Sequence, residues 1–132
     1  MSDIQINGRI KIKSFQADFI KRFPYIVPTL VNKNKTRLDN EYTIAHANSV
    51  VNGEYKPIKV DDFSINGNLH IGSMEDRFEE AFGIPCEVIF RKGGKHYITK
   101  GKYDAMSISE ANAALKNEGA EPIDLKDITS YA

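Results

Sequence analysis

Ile6-Asn7-Gly8 recurs as Ile65-Asn66-Gly67, and the same spacing relates much of the rest of the chain. Ile12, Ser14, Phe19, Phe23 and Lys33 recur as Ile71, Ser73, Phe78, Phe82 and Lys92. After a short insertion the match resumes, with Thr43-Ile44-Ala45-His46-Ala47-Asn48 parallel to Ser107-Ile108-Ser109-Glu110-Ala111-Asn112. A last stretch from Pro57-Ile58 to Phe63 parallels Pro122-Ile123 to Ile128. The repeating positions are apolar or turn-forming, so the duplication carries fold rather than chemistry. It divides the 132 residues into copies spanning 1–61 and 62–132. Each is near the lower limit for independent stability, so the two are expected to share an interface.

Around Asn7-Gly8 lie Ile4-Gln5-Ile6 and Arg9-Ile10-Lys11-Ile12-Lys13, two short alternating runs. Asn-Gly tolerates the positive φ of a tight hairpin turn, so a hairpin is expected here and again at Asn66-Gly67. Ser14 precedes Phe15, Phe19 and Phe23, spaced four apart as on one helical face, and Ser73 precedes Met74, Phe78 and Phe82. Both serines read as helix caps and both stripes as core faces, with Pro24 and Gly83 as stops. Thr29-Leu30-Val31 and Glu87-Val88-Ile89-Phe90 read as strands, each followed by a turn and a partner strand. A short helix follows in each copy; in the second, Ser107 and Glu110 form a capping box and Gly119 is the stop. The closing Pro-Ile stretches read as last strands.

That order, hairpin, helix, strand pair, short helix, strand, resembles a β-grasp (ubiquitin-like) unit. Leu30-Val31, Lys35, Leu38, Asp39-Asn40, Thr43-Ile44 and Asn48 look like the stretch after ubiquitin's central helix, and Gly83-Ile84-Pro85 matches its Gly-Ile-Pro. The resemblance implies an α+β protein of two ubiquitin-like repeats; the competing architecture is one α+β domain with both copies in a single sheet. Ubiquitin-like modifiers end in Gly-Gly, whereas Gly93-Gly94 is internal and precedes Lys95-His96-Tyr97, which argues against conjugation.

Hydrophobic content of 41% and charge of 27% suit a globular protein, and no apolar run approaches the length of a membrane span. Met1-Ser2-Asp3-Ile4-Gln5 lacks the regions of a secretory signal, so a cytoplasmic location is expected. The single cysteine, Cys86, excludes an internal disulfide, and His46, His70 and His96 lack metal-ligand spacing. No nucleotide-binding, nucleophile-elbow or deaminase signature is present, so catalytic residues, cofactors and metal are expected to be none.

The zero net charge conceals a polarity: residues 1–60 carry ten Lys and Arg against five Asp and Glu, and residues 61–132 carry eight against thirteen. Arg9, Lys11 and Lys13 alternate along the expected second strand of the first hairpin, with Lys33, Lys35 and Arg37 at a later turn. Glu75, Asp76, Glu79 and Glu80 supply an acidic face in the second copy. The leading reading is a non-enzymatic adaptor that binds a protein partner, or itself, through these opposite faces. The pairing resembles that of Phox-and-Bem-type ubiquitin-like domains. A second reading is a nucleic-acid-binding accessory protein using the basic first copy. A third is an enzyme with a site between the copies, where Tyr97, Tyr103, His96 and Cys86 are the groups to watch. The insertion at Thr99–Tyr103 has no counterpart in the first copy, and unmatched loops are where a duplicated scaffold acquires a private role.

Overall fold

The computed structural model describes residues 4–58 and 63–128. Its elements run β1 (Ile4–Ile6), α1 (Ile12–Arg22), β2 (Val27–Leu30), α2 (Ile44–Asn52), β3 (Phe63–Ile65), α3 (Ile71–Phe82), β4 (Cys86–Lys92), β5 (Lys95–Ile98) and α4 (Ile108–Asn117). Single 3₁₀ turns span Gly101–Tyr103 and Leu125–Ile128. The chain is mixed α+β, with two small antiparallel sheets among the described residues. The expected repeat boundary at residues 61 and 62 lies outside them.

Neither expected Asn-Gly hairpin forms. β1 pairs with β3, Ile4 opposite Ile65 and Ile6 opposite Phe63, so the opening strand of each copy finds its partner in the other. Gly8 and Gly67 lack positive φ. Instead the Asn7 and Asn66 side chains accept from Arg9 N and Asn68 N at 2.9 Å, turns that send the chain directly into a helix. The glycines are required for close approach: a Cβ on Gly8 would stand 2.8 Å from Ile58 Cδ1, and one on Gly67 would overlap Ser109 Oγ. At these points the glycine carbonyls accept from Ala45 N and Ser109 N, pinning the starts of α2 and α4.

The main helices begin before the serines expected to cap them. Lys11 and His70 occupy the cap positions and make no side-chain cap bond. Loop carbonyls serve instead: Ile12 N donates to Tyr42 O and Lys13 N to Asn40 O, while Ile71 N donates to Met106 O and Gly72 N to Asp104 O. Thr43 caps α2, Ser107 and Glu110 form the expected capping box on α4, and Gly83 ends α3 at φ 70°.

β2 pairs with β4, Val27 opposite Ile89 and Leu30 opposite Cys86, and β4 pairs with β5. Val27 and Cys86 are equivalent repeat positions, as are Leu30 and Ile89, so exchanging the copies maps this ladder onto itself. Gln5 and Ser64, 59 residues apart, lie opposite each other in β1–β3, and Ser64 Oγ donates to Gln5 Oε1 at 3.1 Å. The copies are thus related by a pseudo-two-fold through both ladders. In place of the strand pair expected in the first copy there is one bridge, Val31 to Arg37. The expected last strand of the second copy is a single bridge at Glu121 followed by the Leu125–Ile128 turn. Asp124 Oδ1 accepts from Lys126 N there, which favours the turn. The corresponding stretch of the first copy lies largely outside the described residues.

Both aromatic stripes are core, and they belong to one core. Phe15, Phe19, Phe78 and Phe82 are fully buried. Phe15 stacks on Phe78 across the copies, centroids 5.7 Å apart and planes 5° from parallel. Asn48 Nδ2 donates to Phe82 O at 2.6 Å, and its counterpart Asn112 accepts from Tyr25 N at 2.9 Å, so each short helix is fastened to the other copy. A smaller cluster of Val27, Ile89, Ile123 and Ile128 covers the far side of the β2–β4 ladder. Phe78→Ala, which empties the centre of the shared core, is expected to cost about 3–5 kcal/mol. Urea denaturation followed by circular dichroism measures it, and a loss below about 1 kcal/mol contradicts the shared core.

Candidate functional site

The six basic candidates do not form one face. Lys11 immediately precedes α1 and Lys13 sits in its first turn, so the expected alternation along a strand is absent. Both close on Glu41, at 3.3 and 2.7 Å, and the hydrogen bonds from Lys13 and Lys11, helped by their charge, hold that carboxyl below the usual range. Arg9 is exposed in the turn after β1. Lys33, Lys35 and Arg37 follow β2; Lys35 reaches Glu87 of β4 at 3.5 Å. Arg37 lies near enough to His96 that its charge, after burial, helps hold that imidazole below its ordinary pKa.

The acidic candidates divide differently. Asp76, Glu79 and Glu80 are exposed on α3, opposite the buried Met74, Phe78 and Phe82. Glu75 turns inward and does not belong to that face. Its Oε2 accepts from Val88 N at 2.9 Å, at the end of the β4–β5 ladder, where Thr99 N bonds Val88 O. Burial raises its carboxyl to about 7, against the lowering effect of the Val88 bond and with help from Asp104, Glu87 and Asp76. Cys86 is buried beside it, and burial together with Glu75 pushes the thiol up, which keeps it protonated and unreactive. Among the described residues no group of His, Cys, Asp and Glu is placed to hold a metal ion, and no helix is long and apolar enough to cross a membrane.

A different set converges at the β4–β5 hairpin and the inserted segment; it includes Tyr97 and Tyr103, which sequence reading named only for a site between the copies. The turn at Gly93 and Gly94, both at positive φ, folds β4 against β5. It sets Phe90 opposite Tyr97 and Lys92 opposite Lys95, two pairs on one face of the hairpin. The Phe90 and Tyr97 rings lie 5.6 Å apart at 28°, and Tyr103 from the inserted segment joins Phe90 at 5.7 Å. These rings wall a pocket of about 250 Å³ whose rim includes Lys92 and Glu118 and whose base includes Leu115 and Ala120. Tyr97 is 46% exposed at its mouth. The Tyr103 hydroxyl donates to Glu118 Oε1, and Lys102 Nζ, 5.1 Å over the Tyr103 ring, donates to Oε2 at 3.3 Å. The Tyr103 bond foremost holds the Glu118 carboxyl low, so its charge is already answered within the pocket.

The signal for this site was present in the sequence. From Val88 to Tyr103 the chain carries Arg91, Lys92, Lys95, Lys100 and Lys102 with no Asp or Glu, and three aromatic side chains besides. The net −5 of residues 61–132 hides this run, and the pairing of the aromatics needs the hairpin register to become visible.

Comparison with protein-family models, curated proteins and solved structures finds no match.

Glu75 generates a pH dependence. The folded state holds its proton more tightly than the unfolded chain, so stability falls as pH rises from the ordinary 4.5 to about 7. Denaturation midpoints across that range are expected to decline in the native chain and to flatten in Glu75→Gln, whose amide oxygen still accepts from Val88. An equal decline in both proteins contradicts the assignment.

Proposed function

We propose that this chain is a non-enzymatic adaptor that binds a basic protein surface through the outward face of α3. The observation that carries the reading is the contrast between the two charged sets. Asp76, Glu79 and Glu80 stand on one exposed side of a helix whose other side is anchored in the core, and they make no ion pair among the described residues. Lys11, Lys13 and Lys35 are instead closed on Glu41 and Glu87. Unpaired carboxylates on a rigid helix give a partner of opposite sign both attraction at a distance and a fixed register. A second copy of this chain, through the first copy's Arg9 and Lys33, is the self-associating form of the same reading.

A cytoplasmic location belongs to this proposal. So does the kinship of each repeat with β-grasp units, which contributes less because the opening strands pair between copies. A nucleic-acid role through the first copy loses support from the Glu41 and Glu87 pairs.

The adaptor reading is tested by converting Asp76, Glu79 and Glu80 to Lys together. The native chain is expected to capture a stoichiometric basic protein, or to self-associate in sedimentation, at low salt. The variant, unchanged in circular dichroism, is expected to lose that interaction. Equal capture and equal sedimentation by both proteins contradict the reading.

A further inference from the structure

From the β4–β5 hairpin we infer that this protein has a binding site for single-stranded nucleic acid, separate from the acidic face of α3. Unpaired bases stack on the Tyr97 ring, which Phe90 backs, and the phosphates lie along Lys92, Lys95, Lys100 and Lys102.

Three independent features converge there. The first is aromatic surface in the wrong place for a core. Tyr97 is 46% exposed, at the edge of a sheet whose other apolar residues on β2 and β4 are buried apart from the half-buried Phe90. Phe90, packed against the core, fixes the Tyr97 ring from behind at 5.6 Å, so the outer face of Tyr97 is presented as a rigid platform. A tyrosine held in this way loses little freedom when a second flat ring covers it.

The second is charge. Lys92 and Lys95 face each other at the hairpin tip on the same side as the rings, and the inserted segment adds the exposed Lys100 and Lys102 just before Tyr103. None of Lys92, Lys95 and Lys100 forms an ion pair among the described residues, while Lys102 bonds Glu118. The Glu118 carboxylate in the pocket is satisfied by the Tyr103 hydroxyl and by Lys102, and that of Glu121 at the hairpin turn by Gly94 N and Arg91. Lysines around an exposed ring suit a flexible polyanion with flat bases, since stacking accepts any base and point charges accept any phosphate. An acidic peptide would use the lysines and leave the rings without a partner. A paired duplex hides its base faces within its own stack and would leave them equally unused.

The third is position in the repeat. The rings and lysines on β5 and on the inserted turn, Lys95 to Tyr103, have no equivalent in the first copy, where a single bridge from Val31 to Arg37 stands in place of the hairpin. The hairpin is added to a scaffold that the two-fold ladders already close. It extends beyond the β2–β4 ladder, at the edge of the sheet. An addition that leaves aromatic surface in solvent makes sense as a binding device rather than as support.

The experiment is fluorescence anisotropy of the full chain with a labelled oligothymidine of roughly a dozen nucleotides, and with the same length of duplex, across a salt series. Native protein is expected to bind the single strand more tightly than the duplex. Tyr97→Ala is expected to weaken binding by at least about tenfold and Tyr97→Phe to leave it nearly intact, because the stacking face is kept. Lys92→Gln with Lys95→Gln is expected to lower the slope of log K against log salt by about 1.4. Glu118→Gln, which removes a negative charge from the rim, is expected to leave binding equal or tighter. The lysine conversions at Asp76, Glu79 and Glu80 are expected not to weaken it, so the adaptor reading and this one fail separately. Absence of oligonucleotide binding overturns the inference, as does equal binding of duplex. Binding that survives Tyr97→Ala but falls on reversing Lys11 and Lys13 also overturns it, returning the contact to the first copy. A captured protein lost with Tyr97→Ala, with no oligonucleotide bound, overturns it in favour of a protein ligand at the same face.

Discussion

Phe15 lies flat on Phe78, and each of these fully buried rings is covered in part by the other copy. The two stripes of aromatics face each other because the strands beside them pair between copies: β1 with β3, β2 with β4. A unit of about 60 residues buries too little apolar surface to be comfortably stable. Two such units that exchange strand edges and aromatic faces close both sheets around one core. The polar fastenings follow the same rule. Asn48 and Asn112, equivalent residues on the two short helices, each bond backbone of the opposite copy. The symmetry of the fold is therefore the symmetry of its bonds.

That interlocking determines where the protein can afford a private feature. Within each copy, the turn after the first strand and the loop before the short helix clasp each other, Ile12 to Tyr42 and Ile44 to Ile10 in one, Ile71 to Met106 and Ile108 to Leu69 in the other. The end of β4, the added β5 and the inserted turn project past these clasps and the two ladders. There the second copy carries the exposed Tyr97 ring and lysines, while α3 carries Asp76, Glu79 and Glu80 outward and Glu75 inward. One polypeptide thus offers two chemically opposed surfaces on a single rigid support.

Much of this was legible in the residues. The repeat, both aromatic stripes, the Ser107–Glu110 box and the Gly93-Gly94 turn depend on local spacing, and local spacing is what a sequence displays. Asn7-Gly8 misled because one dipeptide serves two geometries. It suits a positive-φ hairpin turn, and it also suits a side-chain-capped turn whose glycine must admit the start of another helix. Ile10-Lys11-Ile12-Lys13 alternates like a strand, yet carbonyls from Asn40 and Tyr42, far along the chain, draw Ile12 and Lys13 into a helix. The lysines expected on a strand face thereby come within reach of Glu41. Glu75 looked like its acidic neighbours until the position of Val88 N gave it a buried bond. The aromatic pocket needs the register of β4 on β5, which no spacing along either strand alone reveals.

The central claim is that neither copy is a folded unit without the other. Producing residues 1–61 and 62–132 as separate chains and following thermal unfolding of each, and of their equimolar mixture, tests it directly. The account predicts that each fragment alone shows no cooperative transition and that mixing restores one. A cooperative transition in either isolated fragment, unchanged on mixing, would contradict it.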